Sequence, residues 1–132
     1  MVVDPTRLVH VPLFEGLTDA ELASVAEKLE ERAAATGAHL SSEGGAGYFF
    51  FVIERGGAVV TRGDETLATF GPGDFFGEGA IFRARRRTAT VTTTEPTTVF
   101  AMFGADFAKL TGDIPALHAR IEEALDTRLP AD

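Results

Sequence analysis

Tyr48-Phe49-Phe50-Phe51-Val52-Ile53-Glu54-Arg55-Gly56-Gly57-Ala58-Val59-Val60-Thr61-Arg62 is the stretch on which the fold turns. Its first six residues and residues 58–62 are aromatic or mostly β-branched, as strands prefer, and Gly56-Gly57 between them supplies a tight reversal. They read as a hairpin. Toward the C-terminus, Gly63-Asp64 gives another reversal before Thr66-Leu67-Ala68-Thr69-Phe70, and Gly71-Pro72-Gly73-Asp74 a further turn. Residues 88–94 and 97–103 read as two more strands hinged at Glu95-Pro96. Over residues 38–103 short runs of ~5–8 residues alternate with turn signals and no helical period persists. Such short strands and close turns suggest a double-sheet jelly roll or small barrel, and the expected fold is mainly β, a double-stranded β-helix (jelly-roll) barrel with an N-terminal helix and C-terminal helices.

On the N-terminal side, Thr18 and Glu21 have capping-box spacing ahead of Leu22, Val25, Ala26 and Leu29, which predicts a helix over 19–34. Leu13, Phe14 and Leu17 are expected to pin its start against the core. Beyond the strands, residues 105–110 read as one or two helical turns, and Asp113 as the cap of a last helix through Ile114, Leu117, Ile121, Ala124 and Leu125. No repeat, low-complexity tract or linker interrupts the chain. One domain over 1–132 is expected: a helical segment over about 1–37, the barrel over 38–103, and C-terminal helices over 104–132.

Composition narrows the chemistry. Hydrophobic residues make up 45% and charged residues 24%, the balance of a globular protein. Zero cysteines exclude disulfides, thiolate catalysis and cysteine-held metals and fit a reducing cytoplasm. Asp4, Pro5, Arg7 and Pro12 break up the N-terminus, and no apolar run reaches ~18 residues, so neither a secretory leader nor a membrane span is expected. His10, His39 and His118 show no metal-binding spacing, so no metal is expected, and eleven Phe without Trp favour core filling over nucleic-acid stacking. A net charge of −8 disfavours broad contact with nucleic acid or anionic membrane, yet Arg83, Arg85, Arg86 and Arg87 crowd into one run. That run points to an anionic ligand, with Arg83, Arg85 and Arg86 as a steering surface and Arg87 as the contact.

The same run closes a segment that breaks the β pattern, Phe75-Phe76-Gly77-Glu78-Gly79-Ala80-Ile81-Phe82-Arg83-Ala84-Arg85-Arg86-Arg87-Thr88-Ala89-Thr90-Val91. Gly77, Gly79 and Ala80 let a ligand approach the main chain and leave amides to face an anion. Residues 79–84 are expected to form a single helical turn. Arg87 stands where the strand pattern resumes and offers a planar, permanently charged fork to phosphate. Glu78 is suited to accept a hydrogen bond from a sugar hydroxyl. Together they describe a site for a sugar-phosphate.

Phe76-Gly77-Glu78 and Arg87-Thr88-Ala89, with their spacing, resemble the phosphate-binding cassette of the cyclic nucleotide-binding domain family. Val11-Pro12-Leu13-Phe14, Gly16-Leu17, Glu43-Gly44, Phe70-Gly71-Pro72-Gly73-Asp74 and Asp106-Phe107 extend the likeness over nearly the whole chain. The resemblance implies a cassette over 76–89 in which Glu78 takes the ribose 2′-OH, Arg87 the exocyclic phosphate oxygens, and the amides of Ala80 and Thr88 complete the phosphate shell. Phe76, Gly77, Gly79 and Ala89 frame it. It also implies a lid over the base from the last helix, with Leu117, His118 and Ile121 as the contacts. Three positions depart from the pattern: Gly79 in place of an apolar residue, Arg86 in place of Pro, and Tyr48 in place of Asp.

The expected function is that of a cyclic nucleotide sensor, not an enzyme, in which ligand binding moves the lid. The ligand is cAMP or cGMP. cAMP is favoured as the commoner of the two, and Thr88, seen in cGMP-preferring relatives, keeps cGMP open. Resembling domains control a kinase, a channel or a DNA-binding helix-turn-helix. No such segment follows the lid here, so the expected output passes to a protein effector or through self-association, without direct DNA contact. The alternatives are a ligand-free scaffold of the same fold and a cupin-type metalloenzyme, against which the missing histidine pair speaks.

Overall fold

In the computed structural model, which describes residues 3–42, 44–45, 48–82 and 89–127, the first helix begins where its capping box requires. The Thr18 amide donates to Glu21 Oε1 at 2.9 Å and the Glu21 amide to Thr18 Oγ1 at 3.1 Å. Two 3-10 turns, Pro5–Leu8 and Pro12–Phe14, precede it. The helix, α1 (Asp19–Lys28), then stops six residues short of its predicted end. Leu29 is extended, and Glu30–Ala34 forms strand β1, paired antiparallel with Thr97–Phe103 from Glu30 opposite Ala101 to Ala34 opposite Thr97. Glu-Glu-Arg-Ala-Ala has good helix propensity, but propensity is a weak prior. The apolar stripe ends at Leu29, and beyond it the main chain pairs with a distant strand instead.

The remaining strands are β2 (His39–Ser41), β3 (Phe49–Arg55), β4 (Ala58–Arg62), β5 (Glu65–Phe70), β6 (Phe75–Phe76), β7 (Thr90–Thr93) and β8 (Thr97–Phe103). They form two antiparallel four-stranded sheets, β1-β8-β3-β6 and β2-β7-β4-β5. This is the expected two-sheet jelly roll, and no hydrogen-bonded ladder joins the sheets among the described residues. The hairpin predicted at Gly56-Gly57 is not one: β3 and β4 are consecutive but lie in different sheets. At this corner Gly56 has φ +94°, and a Cβ there would stand 2.5 Å from Thr97 Oγ1 and 2.6 Å from the Pro96 carbonyl. The β7–β8 connection crosses between the sheets at the same corner, where the Thr94 amide donates to Gly57 O at 3.0 Å and the Gly57 amide to Thr97 Oγ1 at 3.2 Å. A paired glycine permits both a two-residue hairpin and a sheet-to-sheet corner; partners far along the chain decide between them. Gly63-Asp64 does join a true hairpin, β4 to β5.

Sheet β1-β8-β3-β6 is covered on both faces, which explains the unbroken apolar run in β3. Phe51, Ile53, Val99 and Ala101 point between the sheets, where they meet Val60, Phe76 and Val91. Phe50, Val52, Phe100 and Met102 point the other way, into a cluster with Leu8, Phe14, Val25, Phe107, Leu117 and Ile121. The cassette segment holds a short helix, α2 (Glu78–Phe82), and the chain ends in α3 (Gly104–Asp113) and α4 (Pro115–Thr127). Asp113 does not cap α4. It closes α3, where its carboxylate takes Lys109 Nζ at 2.9 Å, and Ile114 is extended ahead of the proline that opens α4.

Candidate functional site

β6 anchors the candidate site. Phe76 is fully buried opposite Phe51 in β3, and its ring stacks on those of Phe51 at 5.0 Å and Phe70 at 5.6 Å. Gly77 then turns the chain with φ +106°, a conformation that side-chain-bearing residues rarely adopt. This turn makes Glu78 the first residue of α2, with only 3% of its surface exposed. Carboxylates are almost never buried that far unless a partner compensates the charge where water is excluded. Gly79 and Ala80 are buried behind it, and Ala89, where the described chain resumes, is fully buried against the inter-sheet cluster. The structure thus brings Phe76, Gly77, Glu78, Gly79 and Ala80 into one loop-helix unit. Arg87 and Thr88, with Arg83, Arg85 and Arg86, lie outside the described residues.

Two residues not singled out from the sequence connect this unit to the C-terminal helices. Ile81 Cγ1 lies 3.0 Å from where a Cβ on Gly104 would sit, so α2 packs closely on the start of α3. The Phe82 ring meets Phe107 of α3 edge-on at 5.6 Å, and Phe107 stacks on Phe50 of β3 at 3.8 Å. An apolar pair closing a glycine-rich loop was the available sequence signal. The three expected lid residues are placed differently from one another. Leu117 and Ile121 are buried in the helical cluster, and Arg120 fixes α4 by donating to the Leu13 carbonyl at 2.9 Å. His118 is exposed, with Nε2 3.6 Å from Glu122 Oε1.

Two other clefts among the described residues offer a phosphate little. One of about 640 Å³ is bordered by Arg7, His10, Glu54, Arg55 and Pro72. Its inner cation is already engaged: Arg7 grips Glu54 through Nε at 2.8 Å and a second nitrogen at 2.5 Å, and also reaches Glu31. These carboxylates, Glu54 foremost, hold the guanidinium protonated well above its ordinary range. A cleft of about 460 Å³ beside Tyr48, Phe49, Phe103 and Asp106 is aromatic and carries a carboxylate instead of a cation. Among the described residues no group of three or more His, Asp or Glu side chains is arranged to hold a metal ion, and no helix is long and apolar enough to cross a membrane.

Residues 31–113 match the family model for the cyclic nucleotide-binding domain. A cAMP-dependent protein kinase regulatory subunit from Hypocrea atroviridis is 32% identical over 113 residues, covering 86% of this chain and 24% of that protein. The chain spans less than a third of the length of the first curated relatives it matches. Among solved structures, the regulatory domain of Toxoplasma gondii PKA with cAMP superposes with a TM-score of 0.82 at 24% identity, covering 93% of this chain and 49% of that one. Catabolite activator protein from Thermus thermophilus gives 0.75 at 28% identity, covering 86% and 55%.

Proposed function

The chain belongs to the cyclic nucleotide-binding domain family, and from that premise we propose that it is a sensor that takes cAMP in preference to cGMP and acts by binding, not catalysis. The observation that carries this reading is Glu78: a carboxylate 3% exposed, presented by a positive-φ glycine at the first turn of a short helix. In the proposed complex Glu78 accepts from the ribose 2′-OH and Arg87 forks onto the exocyclic phosphate oxygens. The amides of Ala80 and Thr88 complete the phosphate shell, and Phe76, Gly77, Gly79 and Ala89 shape its walls. The kinase regulatory subunit that this chain resembles supports cAMP as the ligand.

Output in this reading passes through the contacts of α2. Because Ile81 and Phe82 rest on Gly104 and Phe107, a cassette that tightens around phosphate shifts α3, and α3 carries α4 with it. Leu117, His118 and Ile121 then exchange their present surroundings for the base, and a cytoplasmic protein effector or a second copy reads the new position of α4. The whole of 1–132 serves as one ligand-responsive unit.

Calorimetric titration with cAMP, cGMP and 5′-AMP tests the reading. The expected result is micromolar or tighter binding of cAMP, weaker binding of cGMP and none of 5′-AMP. Arg87→Ala loses a charge-assisted contact worth ~1.5–3 kcal/mol, so affinity falls roughly tenfold to a hundredfold while the fold persists. No heat from any nucleotide would turn the assignment to a ligand-free scaffold.

A further inference from the structure

Ser41 ends β2 paired with Val91 of β7, just past an irregularity in the ladder after His39, where Leu40 also packs on the inter-sheet cluster. Opposed residues in an antiparallel pair put their side chains on the same face, and Val91 points into the cluster between the sheets. Ser41 therefore faces the barrel interior. The row continues from Val91 to Val60 and from Val60 to Ala68, so Ser41 is its one polar member. It is 7% exposed, and its Oγ has no hydrogen-bond partner.

Among the described residues, other buried hydroxyls on strands are engaged. Thr93, also buried on the β2–β7 side, donates from Oγ1 to Ala35 O at 2.6 Å and accepts from the Ala38 amide at 2.9 Å. Thr111 Oγ1 is likewise unpartnered, but it sits inside α3, where the carbonyl one turn earlier is a local acceptor. Ser41 is on a strand and has no such recourse. A buried hydroxyl without a partner costs free energy that an alanine or valine in the same row would not, and a ligand entering the barrel would recover it.

The position of Ser41 suggests which ligand. Ala89 lies two residues before Val91, on the same side of the chain, and is buried with it. Ser41 thus lies diagonally across from the last cassette residue, which precedes β7. Given the proposed function, on which this inference rests, Glu78 occupies the ribose 2′-OH, and Arg87 with two amides occupies the phosphate. The remaining hydrogen-bonding edge of a purine cyclic nucleotide is its base. We propose that the Ser41 hydroxyl is a specificity-determining contact that hydrogen-bonds the polar edge of the base.

The test compares the wild-type chain with Ser41→Ala and Ser41→Val by calorimetric titration with cAMP and cGMP, alongside thermal unfolding of each free protein. Both variants are expected to unfold no earlier than wild type, to bind the preferred nucleotide roughly tenfold more weakly, and to alter the cAMP-to-cGMP affinity ratio. Wild type that binds while both variants match it for both nucleotides overturns the contact and leaves the sensor reading standing. An equal loss for the two nucleotides, as a loosened barrel would give, also overturns it. Wild type that binds neither nucleotide overturns the sensor reading and this contact together.

Discussion

Gly56 and Gly77 both have positive φ, but their roles differ. At Gly56 there is no room beside the main chain: a Cβ would come within 2.5–2.7 Å of the Thr97 side chain, the Thr97 Cα and the Pro96 carbonyl. Two of those three are backbone atoms that cannot rotate away. Gly56→Ala therefore adds conformational strain to steric overlap, of order 3 kcal/mol together. The expected outcome in chemical denaturation is a lowered midpoint with unchanged slope, which would place the damage in the native state. Gly77 instead aims Glu78, and it was legible from the sequence because a carboxylate between glycines serves no strand. Ser41 was not legible. It sits in Ser-Ser-Glu-Gly, a segment that reads as polar loop, and its burial depends on Val91, fifty positions away.

Among the elements, α1 shows where local reading stops. Its start is encoded within four residues, Thr18 to Glu21, but its end is set by β8, nearly seventy positions later, which takes Glu30–Ala34 as a partner. The Gly56-Gly57 corner failed for the same reason, whereas the helical turn at the cassette was readable because glycines and a lost β alternation are local signals. The α2–α3 contact also depends on distant partners, and it can be tested separately from binding. Phe82 is 36% exposed and touches Phe107 only by its edge, so Phe82→Ala should cost about 1–3 kcal/mol of stability and leave the fold intact. The ligand contacts proposed for the cassette do not include this ring. The variant is expected to keep nucleotide affinity within about threefold while losing most of the ligand-induced change in amide exchange over α3 and α4, a decoupling of binding from response. Unaltered exchange differences would assign the coupling to Ile81 and Gly104 instead.

Across the whole molecule, sheet β1-β8-β3-β6 is the common wall of both cores. The alternation of β3 and β8 sends one set of side chains into the inter-sheet cluster and the other into the helical cluster, so neither core can come apart without stripping a face of the same strands. The sequence made the two-sheet class legible through its alternating strands and turns, but the strand order depends on long-range pairing that no local signal encodes. This shared wall has a consequence for ligand binding. In the proposed complex the nucleotide is held at α2, yet if the wall unites the cores its binding stabilises the helices as well. At a ligand concentration one hundred times Kd, mass action adds about 2.7 kcal/mol to the native state. For a chain of 132 residues this raises the midpoint by roughly 10 °C. The expected outcome is one calorimetric transition that moves intact, with far-ultraviolet circular dichroism and tyrosine fluorescence from Tyr48 shifting together. Two transitions, of which only one responds to cAMP, would mean that the helical cluster folds independently of the barrel, and the path from cassette to α4 would then have to run through α2 and α3 alone.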